Sequence, residues 1–72
     1  MQYIMAVFRS RTEALTFANI LSSYRVPVSV ISTPRRLSVS CGICIRFDSR
    51  LITIAKDVML RRKFDTFVGF FI

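Results

Sequence analysis

Cys41 lies in the stretch of this chain best suited by residue type and spacing to covalent chemistry, Pro34-Arg35-Arg36-Leu37-Ser38-Val39-Ser40-Cys41-Gly42. A free thiol with a pKa of about 8.5 is only a few per cent thiolate at neutral pH, and the thiolate is the reactive form. Nearby guanidinium charge lowers that pKa, each unit being worth about 1.4 kcal/mol. Arg35 and Arg36 are therefore expected to activate Cys41. Ser38 and Ser40 offer hydroxyl donors to a sulfur anion, and Gly42 lets a backbone amide approach one closely. The plainer reading of the same residues is a small buried hydrophobe at Cys41 beside a solvated arginine pair.

Cys44 follows three residues later, so Cys41-Gly42-Ile43-Cys44 also has Cys-x-x-Cys spacing. In redox proteins that pair opens a helix, whereas Cys44 sits within Ile43-Cys44-Ile45, a β-branched context. Three extended residues separate the two Cα atoms by roughly 10 Å, beyond the ~7 Å reach of a disulfide. Cys44 therefore reads as structural unless the chain turns sharply at Cys41-Gly42. The chain has no His, and two Cys could complete a four-ligand zinc site only across a dimer, so no metal site is expected. Glu13, Asp48, Asp57 and Asp65 are too scattered for paired acid–base work, and the two glycines, Gly42 and Gly69, cannot form a phosphate-cradling loop. Hydrolases and nucleotide enzymes are disfavoured, no cofactor is expected, and a carrier or binding protein fits better than a stand-alone enzyme.

The elements that must position the loop follow from periodicity. Residues 1–8 are apolar and β-prone, and Ser10-Arg11-Thr12-Glu13 reads as a capping box in which hydroxyl and carboxylate satisfy the first free amides. Ala14, Phe17, Ala18 and Leu21 then give one apolar helix face, which Pro27 ends. A short strand over 28–31 closes at Pro34, and residues 35–41 form a loop. The pattern repeats with a strand over 43–47, a helix capped by Asp48 or Ser49 and faced by Leu51, Ile54, Ala55 and Val58, and a last strand over 64–72. Phe8-Arg9-Ser10-Arg11 and Phe47-Asp48-Ser49-Arg50 occupy equivalent strand-to-helix junctions. The order is βαββαβ, which predicts an α+β, ferredoxin-like domain over residues 1–72: a four-stranded antiparallel sheet with two helices on one face.

Seventy-two residues suit a single small domain, and 53% hydrophobic content with seven Phe excludes the disordered class. The longest charge-free run, residues 14–24, is far short of the roughly 18 apolar residues of a membrane span. No basic leader opens the chain, so a cytoplasmic location with reduced thiols is expected. Ile4, Ala6 and Phe8 alternate with Tyr3, Met5 and Val7, so both faces of the first strand are apolar. A half-solvated strand alternates apolar with polar, and the open sheet face is accordingly expected to meet a second copy. The formal charge of +7 favours an acidic or anionic partner, nucleic acid included. Aromatic residues in Phe67-Val68-Gly69-Phe70-Phe71 would be the ones to stack bases, but the third strand lacks the usual RNA-binding signature, and this remains the lesser alternative.

The 34–42 segment resembles that of the Putative Se/S carrier protein-like family, small domains built around Pro-Arg-x-x-Ser-x-Ser-Cys-Gly followed by an apolar strand ending in Phe, here Phe47. The opening strand ending in Phe8 and the helix after Ser10 match that family's layout. The resemblance implies that Cys41 carries sulfur or selenium, and it carries over to that residue alone. The residues around it then suggest that Arg35 and Arg36 stabilise the anionic sulfur or dock an acidic donor protein, that Ser38, Ser40 and Gly42 shape the loop, and that an acceptor protein takes the sulfur on. Cys44 departs from the pattern, where a small apolar residue such as Ala is expected. The alternative is a basic protein- or RNA-binding module with inert cysteines.

Overall fold

Ser10 starts the first helix as its spacing predicts: its hydroxyl accepts the Glu13 amide at 3.3 Å. The reciprocal half of the capping box does not form. In the computed structural model, which describes residues 2–39 and 41–72, the Glu13 carboxylate instead accepts the amides of Asp65 at 3.2 Å and Thr66 at 2.9 Å, and the Thr66 hydroxyl. The Arg9 amide donates to the Thr66 carbonyl at 2.8 Å, so one carboxylate fastens the head of the helix to the start of the last strand. These bonds hold the Glu13 carboxyl below its ordinary value, the Thr66 side-chain bond contributing most.

The elements are β1 (Tyr3–Phe8), α1 (Arg11–Ser23), β2 (Val28–Ser32), β3 (Ile43–Asp48), α2 (Ile52–Arg61) and β4 (Phe67–Phe71). All pairings are antiparallel, in the order β2-β3-β1-β4. This is the expected ferredoxin-like arrangement, with refinements at the element ends. Helix α1 stops before Pro27, because Arg25 takes a left-handed conformation (φ 63°) and the Val26 amide returns to the Leu21 carbonyl. Asp48 caps the second junction by accepting the Arg50 amide at 2.9 Å, but a 3₁₀ turn, Ser49–Leu51, precedes α2. Strand β4 begins at Phe67, later than periodicity predicts, because Phe64 leaves the sheet to pack edge-on against Phe8 and Phe17.

The main core lies between sheet and helices. Phe8, Phe17, Leu21, Ile45, Phe47, Ala55 and Val58 are buried there, with Phe64, Phe67 and Phe70 packed against them. Each fully buried large side chain contributes about 1.5–3 kcal/mol and the ring pairs somewhat more. A register irregularity between Val7 and Phe8 opposite β4 turns both Phe67 and Phe70 toward the helices. The aromatic run of β4 is thus largely core, leaving Phe71 on the other face. No helix among the described residues is long and apolar enough to cross a membrane.

Candidate functional site

The face away from the helices is covered in part by the chain's own loop. Met5, Val7 and Cys44 are buried there, with Ile31, Leu37, Val39 and Phe71 packed against them. Leu37 and Val39 come from the 34–42 segment, which folds back over the strands it connects. The apolar layer expected to meet a second copy is therefore closed at these positions by residues of the same molecule.

Local geometry explains the fold-back. Pro34, with its φ fixed near −60°, launches a 3₁₀ turn at Arg35–Leu37 where only a loop was expected. The Leu37 amide bonds the Pro34 carbonyl at 3.1 Å and the Ser38 amide bonds the Arg35 carbonyl at 3.0 Å. Ser38 then turns left-handed (φ 52°, ψ 39°) and reverses the chain. The neck is tied by the Thr33 amide donating to the Gly42 carbonyl at 3.1 Å. At the far side Arg36 Nη2 donates to the Ile72 carbonyl at 2.7 Å, linking the loop to the residue after β4.

Cys41 sits at the end of this loop and is buried, 6% exposed. Its Sγ donates to the Ile43 carbonyl at 3.4 Å rather than meeting the arginines or Ser38. Arg35, Arg36 and Ser38 are all exposed, and Arg36 is engaged with Ile72. These three residues are thus exposed where the thiol is buried, and among the described residues no hydrogen bond joins them to its sulfur. Ser40 lies outside the described residues. Gly42 is exposed, and a Cβ there would meet nothing within 4 Å, so crowding in the closed loop is not its reason for being glycine.

Cys44 is fully buried on β3 and both thiols are free. Burial pushes the Cys44 thiol up; the Thr33 hydroxyl opposes that push and the adjacent Cys41 thiol adds to it. Thr33 Oγ1 is itself buried and lies outside hydrogen-bond geometry with any acceptor among the described residues. Cys44 is consequently a protonated core thiol, while Cys41 is buried at the end of the loop, outside the strands. Sequence reasoning missed Leu37 and Val39 as the cover over Met5, Val7 and Cys44. Their alternation with Arg36 and Ser38 was the available signal, because it gives the segment one apolar side.

A match to the family described as Putative Se/S carrier protein-like spans residues 3–66, and the chain belongs to that family. Comparisons with the curated proteins and with the solved structures return no significant match.

Proposed function

We propose that this protein carries sulfane sulfur or selenium on Cys41. The observation that supports this most is the contrast between its two thiols. Cys44 is fixed inside a central strand with Leu37 and Val39 packed on its cluster, whereas Cys41 lies where the loop rejoins the sheet, outside the β2–β3 ladder, so that exposing it breaks no ladder pairing. Family membership supports the same chemistry.

The transfer needs no external oxidant. The Cys41 thiolate attacks the outer sulfur of a donor protein's persulfide, R–S–SH. The new S–S bond forms as the donor's S–S bond breaks, the electron pair leaves on R–S⁻, and the hydrogen stays on the transferred sulfur. A selenium-bearing donor, R–S–SeH, reacts in the same way. The acceptor protein then attacks the outer atom and Cys41 returns to thiolate. Loop opening releases Arg36 from the Ile72 carbonyl, so that Arg36 and the exposed Arg35 are free to pair with the sulfur anion or with acidic residues of a donor. Ser38, Ser40 and Gly42 complete the open loop around it. The free thiols suit a reducing compartment such as the cytoplasm.

The test is loading from a ³⁵S-labelled persulfide donor, with mass mapping of the product. Wild type and Cys44→Ser are expected to take label on Cys41, and Cys41→Ser to take none. Equal labelling of Cys41→Ser and wild type overturns the assignment.

A further inference from the structure

A cavity of about 380 Å³ opens where β2 begins and β3 ends, lined from the helix-side layer by Val28, Phe47 and Leu51 and by no described residue of the cysteine loop. Tyr3, Ser29, Arg46 and the Asp48–Arg50 ion pair contribute its polar groups, and Pro27, Val28 and Leu51 its apolar wall. That volume is at the small-molecule end of the range for ligand sites.

Arg46 is the unusual member. Its guanidinium carbon lies 4.6 Å from the Tyr3 ring centroid, a cation–π contact. Its Nε is out of solvent and meets no hydrogen-bond acceptor among the described residues. The acidic neighbour, Asp48, is already engaged. Its Oδ2 takes Arg50 Nη2 at 2.8 Å, and Arg50 Nε lies 3.2 and 3.3 Å from the two oxygens. Asp48 therefore satisfies Arg50. Of the two guanidiniums that line the cavity Arg46 is thus the one without a carboxylate partner among the described residues, and the acceptor that fits a guanidinium's paired N–H groups is a two-oxygen anion.

We propose that this cavity binds a small organic oxyanion, a carboxylate or phosphate on an apolar body, with the anion on the Arg46 guanidinium and the body against Val28 and Leu51. Ser29, opposite Arg46 in the β2–β3 register, supplies a hydroxyl to the same anion. Tyr3 holds the guanidinium, which makes it a positioning residue. The site shares no residue with the cysteine loop, so it stands or falls independently of sulfur carriage.

Titration of ¹⁵N-labelled protein with benzoate, phenyl phosphate and inorganic phosphate, each against a sodium chloride control, tests this. The Arg46 Nε–H resonance and the Ser29, Phe47 and Leu51 amides are expected to shift saturably with benzoate or phenyl phosphate in the millimolar range. Which of the two binds tighter distinguishes a carboxylate from a phosphate site. Arg46→Gln is expected to weaken binding at least tenfold and Arg46→Lys by less, with spectra otherwise native. Persistence of binding in a folded Arg46→Lys/Tyr3→Leu variant, equal binding of inorganic phosphate, or linear shifts with all three probes would each overturn the proposal.

Discussion

On the helix side of the sheet Phe8, Phe17 and Phe47 are enclosed by two helices and by the rings of Phe64, Phe67 and Phe70. On the other side Met5, Val7 and Cys44 are enclosed with Leu37 and Val39 from one loop, beside Ile31 and Phe71. The same strands supply both layers, since Ile4, Ala6 and Phe8 point one way and Met5 and Val7 the other. The difference teaches that burial alone does not report commitment to the fold. A residue sealed by two helices is exposed only by global unfolding, whereas one sealed by a short loop is exposed by a local opening of much lower free energy.

The largest effect expected from this contrast is at Phe8→Ala, which should cost about 3–5 kcal/mol in denaturant unfolding and leave little folded protein. A loss below about 1 kcal/mol would break the distinction between the layers. Next is the carboxylate clamp: Glu13→Gln should cost about 1–2 kcal/mol at neutral pH, because a charged acceptor of two amides and a hydroxyl is weakened. The folded-state carboxyl is depressed, so its contribution is complete above its ordinary value of 4.5 and fades as pH falls through the folded value. The stability gap between wild type and Glu13→Gln should therefore narrow below about pH 4.5; a gap independent of pH would show that the clamp's charge contributes nothing.

Leu37→Ala sharpens the comparison on the loop side. It should cost only about 1 kcal/mol globally yet speed alkylation of native Cys44, on whose cluster Leu37 packs, roughly fivefold to tenfold. Parallel acceleration at both thiols would mean that the loop and β3 open together. The smallest effect is expected at Gly42→Ala, within about 0.5 kcal/mol of wild type, since its Cβ enters open space. Slower sulfur loading by this otherwise stable variant would place the need for glycine in the loaded or donor-bound loop.

Most of the architecture was legible because periodicity reports it directly. Ala14, Phe17, Ala18 and Leu21 are buried as their spacing requires, and the βαββαβ order fixes the sheet. Where the reading failed, a distant partner had displaced a local one. Glu13 fits a capping box by spacing, but bonds to Asp65 and Thr66 replace the Ser10 amide. Phe64 reads as strand until the Phe8 and Phe17 rings draw it into the core. At the candidate site Cys41, Arg35, Arg36 and Ser38 are identifiable from the sequence, but the direction of each side chain is not. That direction depends on the left-handed turn at Ser38 and the Arg36 bond to Ile72. The pairing of Tyr3 with Arg46 was equally hidden, because it depends on the β1–β3 register.

The strand order β2-β3-β1-β4 has a consequence for how the chain reaches this structure. Every ladder joins a strand from the first βαβ half to one from the second, so neither half pairs its own strands. Of the three, only β2–β3 connects strands adjacent in the chain, and residues 33–42 are its connection. Closing a loop of about ten residues takes tens of nanoseconds, whereas the other two ladders must wait for distant segments to meet. The segment that holds Cys41 is thus the most local connection in the sheet, and its backbone tie between Thr33 and Gly42 is expected to close before the ladders that join distant segments.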